Sequence, residues 1–286
     1  MTSGRSRLNY NGPMKTALSP TIAAAIDERY QRLIPTIQQL PHNGSRPLTV
    51  SGRVAGWITG KATHHIADMP GVQIEDEAVH ITAVTSRRLS LTRVLEQLAT
   101  GLKGTGCLRG WRDELLDVIG EGEQLAVIER AAMRPLGLLT RAVHLNAWTP
   151  DGKMWVARRA PDKHTDPGMW DTLVGGLAVA GESLDLSLLR ESDEEAGLQP
   201  EQLAQRSALR TIVRMHRQLP EGYQVEDVLV SDCVLDESVV PVNKDGEVSE
   251  FRLLSCQDLW DMIEEGQFTC EAELTLLDSL RRRCGA

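Results

Sequence analysis

The segment from Gly176 to Leu198 constrains this chain more than any other. It reads glycine, five residues, glutamate, seven residues, Arg-Glu, two residues, Glu-Glu, one residue, glycine and an apolar residue. The defined positions are Gly176, Glu182, Arg190, Glu191, Glu194, Glu195, Gly197 and Leu198. Ser183 suits an N-cap and Gly197 a C-terminal stop, so the spacing predicts a helix over 183–196. On that helix Glu191, Glu194 and Glu195 stand at i, i+3 and i+4 and share a face, with Cβ atoms about 5–6 Å apart. Leu186, Leu189 and Ala196 are expected to point the other way, and Ser192 to face the core. At about 4 Å and an effective dielectric near 20, each like-charged carboxylate pair costs about 4 kcal/mol. A divalent cation reverses that sign, and magnesium, manganese and calcium prefer hard oxygen ligands. Glu-x-x-Glu-Glu alone also describes a solvated acidic face, but the full pattern arises by chance in about one chain in a million.

The rest of the chain reads as two units. Ser19-Pro20 opens a helix whose apolar periodicity runs to Leu40. Extended runs follow over 48–58 and 79–84, then a helix over 91–102 with apolar residues at helical spacing, then extended runs over 115–119 and 125–128. A boundary falls between Arg130 and Gly137. Strands are expected over 138–148 and 153–158, joined by a Thr149-Pro150-Asp151-Gly152 turn, and again over 173–179, 211–215, 225–234 and 250–254. Helices near 257–265 and 271–282 close the chain. The expected organisation is a mobile tail over 1–18, a smaller α+β domain over 19–134, and an α/β/α sandwich with a mixed sheet over 135–286.

Composition narrows the partners. A formal net charge of −9 argues against a duplex-binding protein, which concentrates basic charge on one face. The run Arg281-Arg282-Arg283 is expected to complement a helix C-terminus instead. No apolar run approaches the roughly 18 residues of a membrane span, and the first residues lack the apolar stretch of a signal peptide. Five cysteines without CxxC spacing argue against a disulfide framework or a zinc site and fit a cytoplasmic protein.

The pattern from Gly176 to Leu198 resembles the signature box of the Nudix hydrolases. The resemblance implies magnesium-dependent hydrolysis of a diphosphate bond in a small organic diphosphate, with manganese as an alternative metal. It also implies that Glu191, Glu194 and Glu195 hold the metal, with the Gly176 carbonyl as a further ligand. Arg190 would orient a glutamate and Glu182 would support the loop. The metal would polarise phosphate oxygens and activate a water, whose proton goes to a carboxylate: Glu191, or else Glu247 or Glu250 from a downstream loop. Upstream, Arg158 and Lys163 precede Pro167-Gly168-Met169-Trp170-Asp171 and could clamp a diphosphate, with Trp170 and Asp171 beside them. Strand alternation sends Arg159 to the opposite face from Arg158.

The flanking segments 129–132, 143–146, 158–171 and 245–248 resemble the Nudix branch related to thiamine pyrophosphokinase, which carries an N-terminal domain of unknown role. That likeness implies thiamine diphosphate or its oxidised derivatives as substrate, giving the monophosphate. Leu229 and Ser231 depart from the tyrosines of eukaryotic relatives, residues placed to stack on a substrate ring. ADP-ribose or dinucleotide pyrophosphatase is the alternative within the same chemistry. A ligand-binding regulator without catalysis is the alternative of another class, although such proteins usually lack box glutamates. An isopentenyl-diphosphate isomerase would need cysteine where Gly175 stands. A homodimer is a further expectation.

Overall fold

The computed structural model describes residues 20–284; the tail expected over 1–18 and the Ser19 cap lie outside the described residues. Helix α1 (Pro20–Thr36) comes first. Strands β1 (Arg46–Val50) and β2 (Arg53–Ile58) form a hairpin where one extended run was expected, because Ser51 and Gly52 both take positive φ, 49° and 79°. Then come α2 (Gly60–Ile66), β3 (Val72–Ile74), β4 (Val79–Ile81) and α3 (Leu91–Leu102). The four strands order as β2-β1-β4-β3, with β1 and β4 parallel. α2 and β3 were not foreseen, since neither carries a run long enough to show a period. Leu48, Ile58, Ile81, Val94, Leu98 and Leu102 are fully buried in one core with the hairpin β5 (Leu115–Gly120) and β6 (Glu123–Glu129). A short turn, Arg130–Ala132, and α4 (Met133–Leu136) lead out of this unit.

The second half is built on one mixed sheet. It comprises β7 (Leu139–Trp148), β8 (Met154–Arg159), β9 (Trp170–Thr172), β10 (Val174–Leu177), β11 (Arg210–Leu219), β12 (Gly222–Val234) and β13 (Val248–Leu254). The order is β11-β12-β7-β8-β13, with β10 on β7 and β9 on β8; only the β7–β12 pair among these is parallel. Helix α5 (Leu184–Ala196) covers one face, where Leu188 and Ala196 meet Val143, Leu145 and Leu229. Helices α6 (Cys256–Glu264) and α7 (Cys270–Cys284) cover the other, where Leu277 and Leu280 meet Trp148, Val228 and Val230. This is the expected α/β/α sandwich, preceded by the α+β unit.

Three expectations are corrected. Helix α1 was grouped with the N-terminal unit, yet Ile26 and Tyr30 lie in the core beneath α7, and Arg281 of α7 pairs with Asp27 at 2.6 Å and covers the Tyr30 ring. The helix also stops at Thr36 rather than Leu40. The residues after it straighten to satisfy the open edge of β11: His216 N–H donates to the Ile37 carbonyl at 2.7 Å, and Gln39 N–H to the His216 carbonyl at 2.8 Å. On α5, the inward stripe is Leu188, Ser192, Glu195 and Ala196, whereas Leu186 is 52% exposed. Ser192 is fully buried, as expected, and its hydroxyl donates to the Leu188 carbonyl at 2.6 Å. Among the described residues, no helix is long and apolar enough to cross a membrane.

Candidate active site

Helix α5 is set by local chemistry. The Ser183 hydroxyl accepts from Leu186 N–H at 3.2 Å, and Gly197 closes the helix at φ 67°, its N–H donating to the Asp193 carbonyl. The preceding strand β10 lies under the helix and brings two glycines against its carboxylates. Gly175 N–H donates to Glu195 Oε2 at 2.9 Å. The Glu191 carboxyl rests directly on Gly176, where any Cβ would overlap it. Glycine at 176 thus leaves the space in which the Glu191 carboxyl rests, and a Cβ there would displace that carboxyl. Gly175 is less tight: a Cβ there would meet His144 Nδ1 at 3.0 Å, so the ring would have to shift by a few tenths of an ångström.

The glutamates do not converge on one point. Among the described residues, no three His, Cys, Asp or Glu side chains form a ready cation cage. Arg190 takes the space between them: its guanidinium donates to Glu191 at 2.9 Å, to Glu194 at 3.0 Å and to Glu182 at 3.1 Å. The Lys163 ammonium stands 3.8 Å from Glu195 and pairs with Glu247. Carboxylates that repel one another have each taken the nearest positive charge. Burial opposes charge on Arg190, but the bonds and charges of Glu182 and Glu191 outweigh it and raise its pKa. Burial also raises Glu191 and pushes Glu195 up to about 8, against the lowering effect of Lys163. Glu182 lies behind this group, holding Arg190 and accepting from the Ser187 hydroxyl at 2.8 Å.

These side chains open on a cleft of about 210 Å³. Of the expected site residues, Glu191, Glu194, Arg190, Gly176, Lys163, Asp171 and Glu247 line it, with Glu195 buried behind Lys163. Arg158 and Trp170 do not. Arg158 points outward, donating to the Gly168 carbonyl at 3.0 Å and lying 3.6 Å from Glu250. Trp170 is buried in the α7-side core, and Arg252 covers its ring at 4.5 Å. Glu250 goes with them, away from the cleft. Arg159 is the arginine that faces in, bonded to Asp171 at 2.9 Å. Alternation correctly separates the two arginines but does not say which parity faces the cleft. Leu229 and Ser231 also lie elsewhere: Leu229 is in the core under α5, and the Ser231 hydroxyl donates to the Ser207 carbonyl at 2.7 Å. Neither residue lines the cleft.

Several lining residues were missed. Glu114, Arg130 and Arg134 come from the N-terminal unit, so both halves of the chain build the cleft. His144, Gln224, Glu226 and Glu271 form its inner wall. The signal for some of these was present: Thr140, His144 and Asn146 on β7, and Gln224 and Glu226 on β12, are polar at even positions within strands otherwise rich in apolar residues.

Residues 138–272 match the NUDIX domain family. That segment of the chain carries a Nudix domain. Residues 28–140 match a domain of unknown function (DUF4743). Nudix hydrolase 24, chloroplastic, of Arabidopsis thaliana is 29% identical over 246 residues, covering 82% of this chain and 67% of that protein. The uncharacterized protein YJR142W of Saccharomyces cerevisiae is 27% identical over 217 residues, covering 68% of this chain and 60% of that one. Both matches extend well beyond the share of the chain that the Nudix domain itself occupies, so the likeness includes part of the N-terminal unit.

Proposed function

We propose that this Nudix protein hydrolyses the diphosphate bond of an organic diphosphate with a divalent cation, magnesium in the first place and manganese as the alternative. The observation that carries this reading is the clustering of Glu191, Glu194 and Arg190 on one face of α5, with Glu195 beneath, at the mouth of a cleft that also presents Lys163 and Arg159. The donor set fits the cation. Its ligands would be hard carboxylate oxygens of Glu191, Glu194 and Glu195 with the Gly176 carbonyl, and two positive groups of the chain already stand among those carboxylates. When bound, the metal supplies charge neutralisation and polarisation of the phosphate oxygens.

The protein's own side chains do the rest. Arg159, Lys163 and Arg130 bind phosphate oxygens, the arginines in a planar fork and the lysine as a point charge. A water attacks phosphorus, the bridging P–O bond breaks, and the water's proton passes to a carboxylate oxygen of Glu191, or of Glu247 as second candidate. The products are a monophosphate and the departing phosphate or organic phosphate. Thiamine diphosphate and its oxidised derivatives are the first substrates in this reading. All four flanking segments that resemble the thiamine-related branch contribute to the cleft, through Arg130, His144, Arg159 to Asp171, and Asp245 with Glu247. The reading includes a cytoplasmic protein, supported by buried thiols at Cys107 and Cys233 that form no disulfide. It also includes a homodimer, supported by the exposed apolar residues Val54 and Trp57 on the edge strand β2.

The test is phosphate release from thiamine diphosphate, its oxy and oxo derivatives, ADP-ribose and diadenosine polyphosphates. Turnover is expected with magnesium, lost in chelator and restored by added metal. Glu191→Gln and Glu195→Gln should each remove about two or more orders of magnitude of rate without unfolding the protein. Full activity in chelator or in both variants would sink the assignment.

A further inference from the structure

Arg159 closes β8, and the turn over 160–169 carries Lys163 before the chain returns as β9. The Arg159 guanidinium is held rather than free to change rotamer. Its Nε and Nη2 donate to the Thr165 carbonyl at 3.1 and 3.0 Å, and its Nη1 donates to Asp171 Oδ2 at 2.9 Å. A guanidinium carries five N–H donors, so others remain for a ligand. Asp171 is 8% exposed, and its second oxygen is engaged as well: Oδ1 accepts from Thr172 N–H at 2.8 Å. Thr172 is fixed in turn by the pairing of β8 with β9 and by its hydroxyl, which donates to the Val174 carbonyl at 2.8 Å.

A buried carboxylate stays charged where it is paired and hydrogen-bonded, and Asp171 has the arginine for the first and the backbone for the second. A carboxylate repels a phosphate, so its effect on an anionic ligand passes through the arginine. The bonds to Thr165 extend that effect to the turn. Asp166, next to Thr165, takes a left-handed backbone at φ 47°, a conformation that its surroundings must hold in place. Ala160 N–H donates to the Glu247 carbonyl at 2.9 Å and ties the start of the turn. Lys163 lies between that tie and the fastened Thr165 carbonyl, with its ammonium 3.8 Å from Glu195. Arg159, Lys163, Thr165 and Asp171 all line the cleft.

We infer that Asp171 is a positioning residue: by holding Arg159 on the Thr165 carbonyl, this one buried carboxylate sets both the arginine fork and the turn that carries Lys163. The two cations are thereby aimed at a diphosphate together, not each by itself. A fork fixed in advance loses less freedom when the phosphate arrives, which places the gain in affinity. The inference rests on the cleft being the diphosphate site, but it is assayed without hydrolysis.

The experiment pairs two measurements on the full chain: calorimetric titration with imidodiphosphate, a diphosphate that resists hydrolysis, in the presence of magnesium, and hydrogen exchange without that ligand. Asp171→Asn keeps the size of the side chain and removes its charge, whereas Arg159→Lys keeps the charge and loses the fork. Each should weaken imidodiphosphate by about fivefold or more. Amides of the turn should exchange about fivefold faster in each. Because both variants break one contact, the double variant should bind within about twofold of the weaker single one. Unchanged or tighter binding in Asp171→Asn would overturn the inference, the latter by showing a carboxylate that only repels phosphate. Losses that multiply in the double variant, or turn exchange at the wild-type rate, would overturn it too. Thermal melts check folding. Should Asp171→Asn fail to fold, Arg159→Lys reads the same contact from its other end, and wild-type exchange there overturns the inference. If imidodiphosphate binds and responds as expected while no diphosphate is hydrolysed, the proposed activity fails and the positioning role stands. Hydrolysis with a wild-type KM in Asp171→Asn gives the reverse, and absent binding by the wild type overturns both.

Discussion

The residue that shows most plainly how the site is assembled is Gly176. Its role is spatial, since the Glu191 carboxyl occupies the volume a side chain would need. Gly176→Ala should therefore push Glu191 off the strand while leaving the core intact. A displacement of about 1 Å at a catalytic group can cost about a hundredfold in rate. The expected outcome is a loss of that order in kcat, with a melting temperature close to wild type; undiminished turnover would show that Glu191 need not sit on this backbone. Residue identity was the most legible level of this site. The box states Gly176, Glu182, Arg190 and the three glutamates by spacing alone. It could not state that Arg190 would bridge three carboxylates, nor that Lys163 would face Glu195 from a loop. Those contacts depend on where the 160–169 turn returns, which no short-range pattern encodes.

At the scale of elements, α5 is the part that local rules explain best. Its cap, its stop and its acidic face follow from interactions within four residues along the chain. Ser183→Ala removes the hydroxyl that accepts from Leu186 N–H and should cost about 1 kcal/mol of stability. Denaturant titration checks that figure, and an unchanged midpoint would mean the cap is redundant with the packing of Leu188. The strands are less legible in their facing. Arg158 and Arg159 were separated correctly and then assigned to the wrong sides, because the side of β8 that faces the cleft is decided by its neighbours β9 and β13. The same holds for Trp170, which was expected on the ligand and instead fills the core beside α7. Helix α1 was foreseen as an element but misassigned as a partner, since an apolar stripe says that a helix buries a face and not against what.

At the scale of the whole molecule, the N-terminal unit supplies part of the cleft. Arg130 lies on the turn between the two halves, pairs with Glu114 at 2.7 Å, and its charge slightly opposes the rise that burial imposes on the Glu191 pKa. Its ion pair is partly exposed and should contribute little to stability. Arg130→Ala is therefore expected to reduce kcat/KM by about tenfold through substrate binding, with almost no change in melting temperature. A variant with unaltered kinetics would separate the N-terminal unit from the chemistry. The sequence by itself determined the family signature, the acidic helix and its caps, and the sandwich as the class of fold, because each follows from spacing over a few residues or from the period of apolar positions. Only the tertiary structure decided which arginine enters the cleft, that Arg130 reaches it from another unit, and that His144, Gln224, Glu226 and Glu271 meet at its inner wall. Those four come from β7, β12 and the start of α7. They become neighbours only through the parallel register of β7 with β12 and the packing of α7 across them, interactions between segments far apart in the chain.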